Sequence, residues 1–124
     1  MSEAAEQREI VAWFRAEYPE YARCLRVSLA GLNFGSGAKA GRMAAWVRSQ
    51  GITAGESDIA ILLKRGEFGS LLIEHKAGDG KHKTSEAQRG YIQFHNAVGN
   101  CAVVTKGVDM AKAAIRQYMG VNHG

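Results

Sequence analysis

The chain has 124 residues, 46% hydrophobic and 23% charged, a length and balance that point to one globular domain able to close a core without staples. No apolar run approaches the roughly 20 residues of a membrane span, the first residues (MSEAAEQREI) are not a secretory leader, and Cys24 and Cys101 form neither a CxxC pair nor a disulfide framework, which fits a reducing cytoplasmic setting. A net charge of +4 and a pI near 9.3 suit a polyanionic partner.

Residues 2–18 predict an amphipathic helix: Ser2 is an N-cap, acidic residues fill the first turns, Ile10, Trp13, Phe14 and Glu17 continue the period, and Pro19 marks the stop. Alternation predicts a strand over 23–29. Residues 30–41 are rich in glycine and small residues and read as a loop, and a second helix runs from about Lys39 to Gln50 with Gly51 closing it. The run DIAILL (58–63) is a short strand, KRGEFGS (64–70) a turn, and LLIEHK (71–76) a strand that pairs with the previous one as a hairpin. A helix follows over 84–99, ending at Gly99, then a buried strand over 101–106 that opens on Cys101, taken as a core thiol, then a last helix over 108–119. The order is α-β-α-β-β-α-β-α, an α/β fold with a mixed sheet flanked by helices and no internal linker or repeat.

The chemistry gathers around LLIEHKAGDGKHK (71–83). Side chains on a strand alternate faces, so Glu74 and Lys76 share one face while Ile73 and His75 share the other. Antiparallel pairing with 58–63 brings Asp58, at the start of that strand, beside Glu74 and Lys76 at its end. Two carboxylates and an ammonium at a sheet edge suit Mg²⁺ or Mn²⁺, hard cations that take oxygen ligands and retain waters. A lone Glu-x-Lys is usually a solvated ion pair; an aspartate sixteen positions upstream that opens its own strand argues for a site. Beyond the strand, Gly78 and Gly80 loosen a loop carrying Lys81, His82 and Lys83, readable as a solvated loop or as a phosphate clamp, and Lys39, Arg42 and Arg48 offer a second basic strip. Ser85 and Gln88 have the spacing of a capping box, and a helix start facing the site would also bind phosphate. No base-reading motif is present. His95 and His123 lack metal-ligand spacing, and Trp13, Trp46, Tyr91 and Phe94 read as core or interface.

In order and spacing, the chain resembles a stand-alone VRR-NUC domain, a branch of the PD-(D/E)xK nuclease superfamily. The resemblance runs from Glu3, Glu6, Gln7 and Trp13, through Lys39 and Gly41 and the segment SQGITAGESD, to the IEHK strand, Ser85, Gln88 and Tyr91. One departure is that Gly55-Glu56-Ser57-Asp58 stands where the family usually has a proline before the aspartate, which leaves the turn less constrained; Glu56 is then an outer-shell ligand or a solvent-facing residue.

The resemblance implies a restriction-endonuclease-like fold. It implies metal binding by the carboxylates of Asp58 and Glu74 and by the main-chain carbonyl of His75, whose ring points away, with Lys76 as the catalytic lysine and Gln88 near the metal. A first-helix glutamate, Glu3 or Glu6, completes the shell; motif spacing prefers Glu3, although terminal residues fray. Lys39, Arg42, Lys81, Lys83 and Ser85 are the expected DNA contacts. The implied activity is that of a Mg²⁺- or Mn²⁺-dependent DNA endonuclease selective for Holliday or other branched junctions, working as a homodimer in a bacterial cytoplasm, of phage or mobile-element origin. The alternatives are a flap or nicking nuclease, a non-catalytic nucleic-acid-binding domain, and an α/β domain that binds a protein partner.

Overall fold

A computed structural model describes residues 2–30, 34–79 and 83–120. The first helix, α1, spans Glu3–Glu17, and Ser2 caps it by accepting the Ala5 N–H at 3.0 Å. Its buried stripe is Glu6, Ile10 and Phe14, one residue every four, so Glu17 is exposed instead of continuing the apolar period. Pro19 ends α1 and opens a 3-10 helix, Pro19–Cys24, which takes the first part of the strand expected over 23–29; the strand β1 is only Leu25–Val27. Helix α2 spans Gly37–Ser49, starting two residues before the expected Lys39, and Gly51 follows it at φ 109°.

Strand β2 spans Ile59–Ile61, β3 Leu71–Lys76, and β4 Cys101–Lys106; helix α3 spans Glu86–Ala97 and α4 Val108–Met119. The sheet order is β1-β2-β3-β4, antiparallel at β1/β2 and β2/β3 and parallel at β3/β4. A hairpin needs only the turn over 64–70, whereas the parallel step needs a crossover, and α3 supplies it. The result is the expected mixed sheet flanked by helices in the expected order.

One face of the sheet presents Ile59, Ile61, Leu71 and Ile73, which bury against Ile10 and Phe14 of α1 and Ala111, Ile115, Tyr118 and Met119 of α4. Fully burying side chains of this size contributes about 1.5–3 kcal/mol each, so this layer supplies most of the driving force for folding. Cys101 is half-buried at its margin and free, as is Cys24. The exposed edge of β4 is closed by Asn96 of α3, which bonds both the N–H and the carbonyl of Ala102 at 2.8 and 3.0 Å. Among the described residues no helix is long and apolar enough to cross a membrane.

Gly55 docks the turn before β2 onto α3. It sits at φ 77°, and a Cβ there would lie 2.4 Å from the backbone carbonyl of Ala87, so only glycine lets the two backbones approach. This contact brings the start of β2 and the start of α3 to the same end of the sheet.

Candidate active site

The β2/β3 register pairs Ile59 with Ile73, and one further step sets Asp58 opposite Glu74. Asp58 is anchored there because its Oδ2 accepts the backbone N–H of His75 at 2.8 Å. Glu74 is 1% exposed, its Oε1 is buried without a hydrogen-bond partner, and its Oε2 lies 3.9 Å from Lys76 Nζ. Burial, and then the neighbouring Asp58 carboxyl, push the Glu74 carboxyl up to about 9. Glu74 is therefore protonated at neutral pH.

Lys76 is nearly buried, and its Nζ donates to Gln88 Oε1 at 3.2 Å. The same oxygen accepts the Ser85 N–H at 2.8 Å, while Ser85 Oγ accepts the Gln88 N–H at 3.1 Å. Gln88 thus closes the capping box of α3 and also accepts a hydrogen bond from Lys76.

The two first-helix glutamates part company. Glu3 lines the cleft that also holds Asp58 and Ser28, and its charge adds to the upward push on Glu74. Glu6, expected as an alternative metal ligand, is buried behind the sheet with both oxygens engaged: Oε1 meets His75 Nε2 at 2.8 Å and Oε2 accepts the Gly78 N–H at 3.0 Å. Those bonds, the Gly78 N–H foremost, hold its carboxyl below the usual range. Glu6 is thus turned away from Asp58 and Glu74. The His75 ring is fully buried on the core face, as alternation requires, with Nδ1 2.9 Å from Thr105 Oγ1.

Glu56 neither faces solvent freely nor reaches the carboxylate pair. Its Oε1 accepts the Thr53 N–H at 2.7 Å and its Oε2 accepts the Ser28 hydroxyl, which stabilises the turn that lacks a proline. Lys39, Arg42 and Arg48 are exposed on α2, and Lys83 is exposed before α3. Lys81, His82 and His123 lie outside the described residues. His95 is held by Asn100 at 3.0 Å and packs on Tyr91, a structural role. Trp13 lies at the core margin under Arg116 and Lys112, while Trp46 and Phe94 are exposed.

Among the described residues no three His, Cys, Asp or Glu side chains converge into a ready metal cage. The donor set is two carboxylates, one with an orphaned buried oxygen, and this fits a hard cation that binds through one or two carboxylates and retains waters. It does not have the nitrogen or sulfur donors of a closed structural zinc site. Sequence reasoning missed the Glu6–His75–Thr105 chain; the available signal was a histidine placed on the core-facing side of an otherwise apolar strand.

No family model and no curated protein matches the chain. A solved structure described as a VRR_NUC domain protein shares its fold with a TM-score of 0.80 and 26% sequence identity, over 98% of this chain and 91% of that one.

Proposed function

We propose that this chain, which shares the fold of a VRR_NUC domain protein, is a Mg²⁺- or Mn²⁺-dependent endodeoxyribonuclease that hydrolyses phosphodiester bonds in branched DNA, Holliday junctions included. The observation that carries the reading is the Asp58–Glu74 pair set opposite one another across β2 and β3, with the buried, orphaned Glu74 Oε1 and with Lys76 held 3.2 Å from Gln88 at the same edge.

Asp58 and Glu74, with the His75 carbonyl and Glu3, would hold such a cation, which would supply Lewis-acid charge for a phosphate oxygen and acidify a water. Glu74 would have to give up its proton to serve as a ligand. Asp58 is kept in place by the His75 N–H, so it needs no reorganisation on binding. Lys76, oriented by Gln88, faces the charge that develops on the phosphate in the transition state and stabilises it. The N-terminus of α3, opened by Ser85, favours an anion at the same edge. Lys81 and Lys83 after the catalytic strand and Lys39 and Arg42 on α2 engage flanking phosphates, which makes binding salt-dependent and nearly indifferent to sequence. A homodimer would set two such sites on the two strands of a four-way junction, whose symmetry it matches. The setting that fits is a bacterial cytoplasm.

Incubation with four-way, flap, nicked and linear DNA, in Mn²⁺ and in chelator, tests this. Metal-dependent products from junctions are expected, and Lys76→Ala should abolish cleavage while leaving much of the binding. Cleavage confined to flaps or nicks would shift the substrate class. Binding without products under any metal would replace the enzyme with a binding module, and wild-type cutting by Lys76→Ala would overturn the mechanism.

A further inference from the structure

Behind the carboxylate pair lies a polar chain inside an otherwise apolar layer. Glu6 of α1, His75 of β3 and Thr105 of β4 are 6%, 0% and 1% exposed; Glu6 continues the buried stripe of Ile10 and Phe14, and His75 lies on the same strand face as the core residue Ile73. Each His75 ring nitrogen has a partner, Glu6 at 2.8 Å and Thr105 at 2.9 Å. The second oxygen of Glu6 takes the Gly78 N–H at 3.0 Å, at the root of the basic loop. Close by, the Gly107 N–H donates to the Lys76 carbonyl at 2.9 Å, so the ends of β3 and β4 are tied together there.

Burying polar groups is costly unless they are bonded, and bonded groups hold their elements in one relative position. Three consequences follow from this placement. His75 is the residue whose backbone N–H holds Asp58, so fixing its ring fixes that donor. Glu6 lies one helical turn after Glu3, so pinning Glu6 to β3 sets where Glu3 stands in the cleft with Asp58. Gly78 follows the catalytic strand by two residues, so its bond to Glu6 fixes where the chain leaves β3.

We infer that Glu6, His75 and Thr105 form a tether behind the metal site, with Glu6 and His75 as positioning residues that set Asp58, Glu3 and the root of the basic loop for a divalent cation. The inference rests on the metal-site reading above. Outer-shell bonds of this kind typically tune metal affinity by about 10- to 100-fold.

Two near-isosteric variants test it. Glu6→Gln leaves one acceptor for two donors, and Thr105→Val removes the partner of Nδ1. Mn²⁺ binding is measured by calorimetry and Gly78 amide exchange by NMR, with thermal melts as a fold check. Glu6→Gln should weaken Mn²⁺ binding about tenfold and speed Gly78 exchange, and in a Glu3→Gln background it should cost much less, because it acts partly through Glu3. Thr105→Val should weaken Mn²⁺ binding with the fold intact, and it decides the matter if Glu6→Gln does not fold. A parent that binds Mn²⁺ while both folded variants bind it equally overturns the tether alone. A parent that binds no Mn²⁺ overturns the metal-site reading and the tether with it.

Discussion

Gln88 Oε1 accepts two hydrogen bonds at once, from the Ser85 N–H at 2.8 Å and from Lys76 Nζ at 3.2 Å. One atom thus ends a helix and orients a lysine, and the start of α3 cannot shift without moving Lys76. Gln88→Leu should lower stability by about 1 kcal/mol through the lost cap and lower kcat on the order of 10- to 100-fold through the freed lysine. Denaturant melts and single-turnover cleavage separate the two losses. A variant that loses stability but keeps its rate would confine Gln88 to the cap.

The Asp58–Glu74 pair predicts a pH dependence with a definite sign. Glu74 is raised by burial and by Asp58 to about 9, so at pH 7 it must surrender a proton to bind a cation. Mn²⁺ affinity should rise as pH rises, by up to about tenfold per pH unit, and level off near pH 9. In the metal-free protein the sign reverses. A carboxyl raised above its unfolded value contributes stability below its ordinary value of 4.5, and that contribution is lost as pH climbs through 9. Thermal melts between pH 5 and 9, with and without Mn²⁺, should show a decline that the cation removes.

Gly55 should tolerate no side chain. Gly55→Ala meets both a φ of 77° and a 2.4 Å approach to the Ala87 carbonyl. A loss of more than about 1 kcal/mol is expected, with activity reduced even where the variant is folded, since this contact aligns β2 with α3. An unchanged denaturation midpoint would show that the turn docks in some other way.

Glu56 divides structural from metal chemistry. It bonds the Thr53 N–H and the Ser28 hydroxyl. Glu56→Ala should cost about 1–2 kcal/mol and leave Mn²⁺ affinity unchanged in calorimetry. A tenfold loss of affinity would return Glu56 to the outer shell.

Much of this arrangement is legible in the chain. The period of two in LLIEHK separates Glu74 and Lys76 from His75, and the glycine- and charge-rich KRGEFGS marks a hairpin that returns Glu74 to Asp58. The β3, β4 and α4 boundaries follow from apolar runs closed by glycine or charge. β1 was less legible, because the alternation of RCLRVSL continues through residues that the Pro19 turn winds into a 3-10 helix.

The amino-acid order alone determined which side chains share a strand face and which residues cap a helix, because these depend on backbone geometry within a few residues. Only the tertiary structure shows which of Glu3 and Glu6 stands in the cleft with Asp58. On a helix they stand only about 60° apart, so local geometry cannot separate them; in the packed structure one lines the cleft and the other bonds His75. The same holds for Gln88, whose cap is written in its spacing from Ser85, while its bond to Lys76 exists because Gly55 lets α3 close on that end of the sheet.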